Sequence, residues 1–486
     1  MDTLLKAMEQ TLLKDQKFTQ NMGITYETTK SNSVDLFFQI NAMRNQEEEK
    51  IVDLFSKCFS NDENSLDAMK ILFWSRDIRE GQGERRTFRI LLKYLASNSK
   101  GLQALKHNIH NIPYYGRWDD LFVLFDTPAE SETLDLIQKE LNRGNALCAK
   151  WMPREKSKHK LIARKIRKKM GLSPKRYRKL LAEYTSVVES NMCKNNWNSI
   201  EYSKVPSNAM NNYRKAFKKR SPSKWEMYLS DIEKGVEKVN SSTLYPYNIV
   251  KPFMEYHEWN DAEKPDWRLP EQQWLSLPNY LEGNKEKIMP VVDVSGSMYS
   301  AKNPSPIEVA ISLGIYIAEK NKGPFKDCFI TFSESPQLSK LKGATLFEKV
   351  QNLKSADWGM NTDLSKVFNL ILDSATRYNL PAESLPSVIL ILSDMEFDTA
   401  CKPSLTAFQS AKASFEEAGY ELPKIVFWNL DAKTENFPVK YHENGTALIS
   451  GFSPSILKTL LNGSQMTPHS VMKETIDLNR YDRITL

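Results

Sequence analysis

Ile288-Met289-Pro290-Val291-Val292-Asp293-Val294-Ser295-Gly296-Ser297 is the stretch whose reading decides the fold of the C-terminal part. The apolar run reads as a buried strand, and it stops on Asp-x-Ser-x-Ser. Such a stop delivers one carboxylate and two hydroxyls to a point just beyond a sheet edge, with Gly296 letting the turn fold tightly. Three hard oxygen donors from one turn suit a small hard cation, Mg²⁺ or Mn²⁺, which prefers octahedral oxygen coordination. Taken alone, the five residues read equally well as a Ser/Gly-rich strand-to-helix turn that holds no metal.

Two later segments shift that balance. Gly359-Met360-Asn361-Thr362-Asp363 leads into an apolar-periodic helix through Leu364, Val367, Phe368, Ile371 and Leu372. Ser387-Val-Ile-Leu-Ile-Leu-Ser393-Asp394 is a second apolar strand that ends on a carboxylate. In an open parallel sheet, ligands gather beyond the carboxyl ends of the strands, so Thr362 and Asp394 are expected beside Asp293. The three segments together resemble the metal-ion-dependent adhesion site of von Willebrand factor A domains. That resemblance implies Mg²⁺ (or Mn²⁺) held by Asp293, Ser295, Ser297, Thr362 and Asp394, with one position left for an Asp or Glu from a protein partner.

The flanking pattern agrees with an α/β, Rossmann-like A domain over 284–486. A helix is expected over Pro306–Ala318, strands over Cys328–Phe332, Lys424–Leu430 and Ala447–Ser450, and helices over Ser404–Ala418 and Ser453–Leu461. Strands alternating with helices of this length imply βαβ units and a mostly parallel sheet.

Residues 1–283 read differently. Amphipathic patterns recur over 33–44, 47–59, 67–78, 85–96, 101–109, 119–125, 132–141 and 175–190, with short polar or Gly/Pro breaks. They predict an all-α helical-repeat (HEAT-like) domain of stacked antiparallel pairs. Prolines and tryptophans crowd 245–283, which reads as an irregular connector. At 486 residues, 41% hydrophobic and 26% charged, the chain has the composition of a soluble multidomain protein. Five scattered cysteines without a CxxC, no membrane-length apolar run and no basic-then-apolar leader predict a reduced, cytoplasmic protein.

Charge is the telling feature of the helical part. Lys150–Leu180 carries 14 Lys/Arg against one acid, so the rest of this +7 chain carries −6. The segment 150–220 therefore offers Lys150, Arg154, Lys156, Lys158, Lys160, Arg164, Lys165, Arg167, Lys168, Lys169, Lys175, Arg176 and Arg178, then Arg214, Lys215, Lys218, Lys219 and Arg220, to a polyanion. Trp151, Tyr177, Tyr213 and Phe217 lie among these cations, either to stack on unpaired bases or to anchor the helices. The plainer readings are a solvated basic face or a docking surface for an acidic protein. A membrane surface fits less well, because the run lacks a bulky apolar face.

A helical-repeat domain followed by an A domain resembles the TROVE-domain Ro autoantigen family, ring-shaped binders of small noncoding RNAs and single-stranded RNA ends. Leu72–Arg86, Tyr115–Leu121, Val205–Met210 and Tyr213–Phe217 are closer to an uncharacterised family of plants, giant viruses and phages that also ends in an A domain. These resemblances imply an RNA-binding scaffold, a ribonucleoprotein, whose A domain recruits a protein in a magnesium-dependent way. The alternative is a protein-only adaptor whose basic face meets an acidic partner.

Asp77 and Glu84 are expected to tie down the arginines of the Gly81-Gln82-Gly83 turn (Arg76, Arg79, Arg85, Arg86). Trp118 is expected as a core plug, with Asp119 or Asp120 as a helix cap. Nothing reads as catalytic: His107 and His110 lack further ligands, GxSxG and Walker lysine motifs are absent, and only Glu396 and Asp398 are spare acids near Asp394.

Overall fold

The computed structural model describes residues 15–185, 187–256, 265–300, 302–332, 336–354, 363–400, 405–460 and 466–486. Contacts divide the chain into two compact units, each discontinuous in sequence: 1–50, 245–265 and 278–478 form one, and 51–244, 266–277 and 479–486 the other. These contact units interleave across the boundary expected at 283/284. The N-terminal stretch groups with the sheet and the last eight residues with the helices, because the bonds that place them span several hundred residues and leave no local pattern.

In the sheet unit, a hairpin of β1 (Gln16–Phe18) and β2 (Ile24–Tyr26) precedes a six-stranded sheet. Its strands are β3 (Ile288–Asp293), β4 (Cys328–Phe332), β5 (Gln337–Lys340), β6 (Val388–Ser393), β7 (Lys424–Asn429) and β8 (Thr446–Ser450). They lie in the order β5-β4-β3-β6-β7-β8, all parallel except β5, which runs antiparallel to β4. β3 and β6 are buried at every position, as strands covered on both faces must be. β5 has no counterpart in the sequence reading, since a short exposed edge strand carries no apolar alternation.

The chain leaves β3 for β4 on one side and later returns to β6 on the other. Val291 therefore pairs with both Ile330 and Ile391. That reversal is a topological switch point, where the carboxyl ends of two neighbouring strands part and open a crevice. The helix Pro306–Lys320 packs behind it, with Pro306 in the first turn and a capping box of Ser305 and Glu308. Its Gly314 is required by close approach: a Cβ there would lie 2.6 Å from Cγ2 of Val292.

Residues 19–46 run across the loops that follow β6 and β7. Thr19 Oγ1 donates to the Phe397 carbonyl at 2.6 Å, Gln20 N–H to Glu396 at 2.8 Å, and Gln46 Nε2 to the Ala432 carbonyl at 2.7 Å. Tyr26 and Phe437 exchange backbone bonds at 3.0 and 3.2 Å. The helix Asn32–Gln39 in this strap, capped by Ser31, is buried from Ser33 through Gln39.

In the helical unit, Ser65–Arg76, Arg86–Ser97, Ser99–Asn108 and Glu130–Asn142 match the amphipathic stretches to within a few residues. Trp118–Leu124 is a 3-10 rather than an α-helix, and the stretch expected over 175–190 splits into Pro174–Tyr184 and Val188–Cys193. The connector expected to be irregular contains two helices, Pro246–Glu255 in the sheet unit and Arg268–Leu275 in the helical unit. Pro246 and Pro270 sit in first turns, where a missing N–H leaves no bond unmade; only Pro252 lies inside a helix. Among the described residues, no helix is long and apolar enough to cross a membrane.

Candidate metal centre and nucleic-acid interface

Asp293 ends β3 and Asp394 follows β6, so the switch point brings the two carboxylates to one place. Both are buried, with Ser295 beside them. Asp293 Oδ1 accepts from the Ser295 N–H at 2.9 Å and Oδ2 from the Ser393 hydroxyl at 2.6 Å. The Ser295 and Ser297 hydroxyl oxygens are 3.1 Å apart. Burial, and then the neighbouring Asp394 charge, push the Asp293 carboxyl well above the ordinary carboxylate range. Four of the five residues expected around a cation are thus assembled, and Thr362 lies outside the described residues.

The sequence reading missed Lys433. Its ammonium donates to Asp394 Oδ2 at 2.7 Å and to the Ser297 carbonyl at 2.6 Å. A second pair lies one turn earlier: Lys302 reaches Asp431 at 2.6 and 2.7 Å, and burial nevertheless raises the Asp431 carboxyl. The signal for both was present, since Asp431-Ala-Lys433 follows an apolar strand as Asp293 and Asp394 do. Glu396 is fully engaged, accepting from Gln20 N–H and the Thr434 hydroxyl, so it holds the strap. Carboxylate and hydroxyl oxygens fit a small hard cation in kind. Among the described residues, one ammonium serves the two buried carboxylates, and it contacts Asp394 rather than Asp293. Among the described residues, no three His, Cys, Asp or Glu side chains group to hold a metal.

In the helical unit, the expected cations sort into two sets. Lys165 bonds Asp126 and Glu130, Arg167 bonds Glu155 and the Leu172 carbonyl, and Lys169 pairs with Asp135. These three hold Lys160–Lys169 against its neighbours. Arg154 and Arg214 are half-buried, burial lowering both guanidinium pKa values, Lys150 lies over the Trp151 ring, and Lys218 faces Glu226 and Asp266. Lys156, Lys158, Lys160, Arg164, Lys168, Lys175, Arg176, Arg178, Lys215, Lys219 and Arg220 are exposed, with no ion pair to a described residue. The interleaved aromatics are anchors: Tyr177 donates to the Pro153 carbonyl at 3.2 Å, Phe217 is in a core with Tyr202 and Trp225, Tyr213 meets Glu189, and Trp151 lies under Arg117.

The turn motifs resolve into a buried ionic knot. Asp120, fully buried, takes Arg76 at 2.8 Å and Arg89 at 2.7 Å, and Asp119 takes Arg117 and Arg89. Asp77 takes the side chains of Arg480 and Tyr481 and, from the turn arginines, only the backbone N–H of Arg79 at 3.0 Å, and Glu84 caps the Arg86–Ser97 helix through the N–H groups of Arg86 and Thr87. Arg79 donates to the Tyr114 carbonyl at 2.8 Å.

Residues 19–114 and 150–284 match one family model, a domain of unknown function (DUF2828), and 287–482 match another, a domain of unknown function (DUF7788). The uncharacterized protein L728 of Acanthamoeba polyphaga mimivirus is 31% identical over 518 residues, covering 95% of this chain and 87% of that protein. The chain belongs to the family of that viral protein. Within this family architecture, the DUF2828 match contains all the exposed cations named above and the DUF7788 match contains Asp293, Asp394 and Lys433. The crystal structure of the Deinococcus radiodurans Ro (RSR) protein is 14% identical, at a TM-score of 0.34 over 92% of this chain and 93% of that one.

Proposed function

We propose that this protein is a non-catalytic RNA-binding scaffold for small noncoding or single-stranded RNA. The observation that carries it is the set of exposed cations on Lys160–Lys169, Pro174–Tyr184 and Ser207–Arg220 that have no internal acid to neutralise them. Such cations concentrate phosphates and release counterions on binding, so affinity falls steeply with salt. The test is filter binding of small RNAs over a salt series, with Lys156, Lys160, Arg164 and Lys168 each replaced by Glu in one variant. Affinity falling with salt and lost in that variant supports the reading. RNA affinity no better than that of a generic basic protein turns it into the protein-only adaptor, its basic face meeting an acidic partner.

For the sheet unit, we infer a von Willebrand-type A domain whose Asp293, Ser295, Ser297 and Asp394, with Thr362, hold Mg²⁺ or Mn²⁺. Support comes from hard oxygen donors meeting at a switch point and from two buried carboxylates beside one ammonium. When bound, the ion supplies positive charge to a carboxylate from a protein partner. Asp293 and Asp394 fix the charge of the site, and the Ser295 and Ser297 hydroxyls shape it. Calorimetric titration of Mg²⁺ and of Mn²⁺ into wild type and Asp293→Ala tests this: heat in the first and none in the second.

A further inference from the structure

The ionic knot of the helical unit carries more cation than it needs. Both oxygens of Asp120 and both of Asp119 already accept guanidinium N–H groups: Asp120 from Arg76 and Arg89, Asp119 from Arg117 and Arg89. A fourth arginine, Arg85, lies one helical turn before Arg89, whose N–H its carbonyl accepts at 3.1 Å, and is exposed, with no side-chain acceptor among the described residues. Partial burial lowers its pKa most, and the charges of Arg117 and Arg89 lower it further. Of the other carboxylates in the turn, Asp77 and Glu80 face Arg480, and Glu84 accepts from the helix N–H groups of Arg86 and Thr87.

The knot is also graded from inside to outside. The Arg76–Asp120 pair is 3% and 0% exposed, whereas Arg89 and Arg117 are 28% and 27% exposed. Four guanidinium groups thus face two carboxylates, and the surplus lies at the solvent side. There Arg117 stacks on Trp151 at 4.1 Å, and Lys150 approaches the same ring at 5.9 Å. Planar guanidinium groups held rigid by buried acids are pre-organised for an oxyanion, because the acids fix their geometry before a ligand arrives.

We propose that Arg85, with Arg89 and Arg117 locked behind it, is a phosphate-binding site that seats one phosphate group of an RNA. It rests on the RNA-binding reading but names different residues, none on the exposed basic helices. Asp119 and Asp120 act as positioning residues: they hold Arg89 and Arg117 in place and do not touch the ligand. Arg85 is the residue to change, since it makes no internal bond that folding needs.

The experiment compares wild type and Arg85→Gln for binding a 5′-phosphorylated and a 5′-hydroxyl single-stranded RNA of one sequence over a salt series. Thermal denaturation in inorganic phosphate against chloride at matched ionic strength is read alongside. A loss of about tenfold confined to the 5′-phosphorylated RNA assigns the site to a chain end. An equal loss for both RNAs, with the salt slope reduced by about one contact, assigns it to an internal diester; either result supports the site. If Arg85→Gln binds both RNAs as wild type does while the four-fold Glu variant does not, the site is overturned and the RNA reading stands. Should wild type bind neither RNA specifically, the RNA reading falls. The site then survives only if phosphate stabilises wild type and not Arg85→Gln, and is rejected if it stabilises both alike or neither.

Discussion

The ammonium of Lys433 lies 2.7 Å from Oδ2 of Asp394. Among the described residues it is the cation that contacts this pair of buried carboxylates, and it takes the carboxylate that the proposed divalent ion would also need. An ammonium and a divalent ion compete for the same oxygen, so Lys433 would oppose the ion proposed for this site. Replacing it by Met removes the ammonium paired with buried Asp394, and breaking a buried pair in this way costs about 3–5 kcal/mol. The expected outcome is a lower Tm for Lys433→Met, largely restored by Mn²⁺, and a Kd for Mn²⁺ at least about tenfold tighter than wild type, equivalent to some 1.4 kcal/mol. Equal Mn²⁺ affinity in the two proteins removes the competition.

Arg76 and Asp120 form the most buried ion pair of the helical unit. Asp120 also accepts from Arg89 and from the Arg117 N–H at 2.9 Å, so one carboxylate fixes three elements. Truncating it strands the buried guanidinium of Arg76 and leaves Arg89 with Asp119 alone. Asp120→Ala is expected to destabilise the protein by about 3–5 kcal/mol, measured by urea unfolding, and Arg76→Lys to recover little of the planar contact. A cost below about 1 kcal/mol for Asp120→Ala shows that the knot is not a folding element.

Asp119 gives this knot a pH dependence. Burial raises its pKa, but Arg117 and Arg89 outweigh that and hold it below the ordinary value. Its folded pKa being the lower one, its contribution is complete above the unfolded value of about 3.9 and is lost as pH falls below that toward the folded one. Asp119→Asn should therefore be clearly less stable than wild type at pH 7, with the difference shrinking as pH falls below about 4. A difference that does not change with pH contradicts the pairing.

Behind the metal candidate, Gly314 leaves no room for a methyl group against Val292, the residue before Asp293. Gly314→Ala overpacks that contact, at about 1–3 kcal/mol. Trimming the partner should relieve it, so the cost of Gly314→Ala is expected to shrink in a Val292→Ala background. Additive costs in the double-mutant cycle rule out the contact as the cause.

The core of the sheet unit was legible because its signals are local. Runs such as Val388–Ser393 and Lys424–Asn429 are apolar throughout, and their ends name Asp293 and Asp394. The strap was not legible: Thr19, Gln20 and Tyr26 are ordinary polar residues whose partners, Phe397, Glu396 and Phe437, lie more than 370 positions away. Ion pairs were hidden for the same reason, since charge density alone does not tell a tied Lys165 from a free Lys168. Lys433 was overlooked because a carboxylate motif draws attention to ligands rather than to the cation already beside them.

Glu396 separates the two roles an acid near Asp394 can take. Its carboxylate accepts from the Gln20 N–H at 2.8 Å and from the Thr434 hydroxyl, and its carbonyl takes Asn21 Nδ2 at 2.7 Å. Hydrogen bonds to a charged group contribute about 1.5–3 kcal/mol each, so this residue fastens β1–β2 to the loop after β6. Glu396→Ala is expected to raise amide exchange over residues 19–26 while leaving Mn²⁺ affinity within about twofold of wild type, the noise level of a change near 0.4 kcal/mol. A metal ligand would behave in the opposite way, losing affinity with the strap still protected. The strap is thus fastened beside the candidate centre through Glu396, a residue outside the proposed donor set.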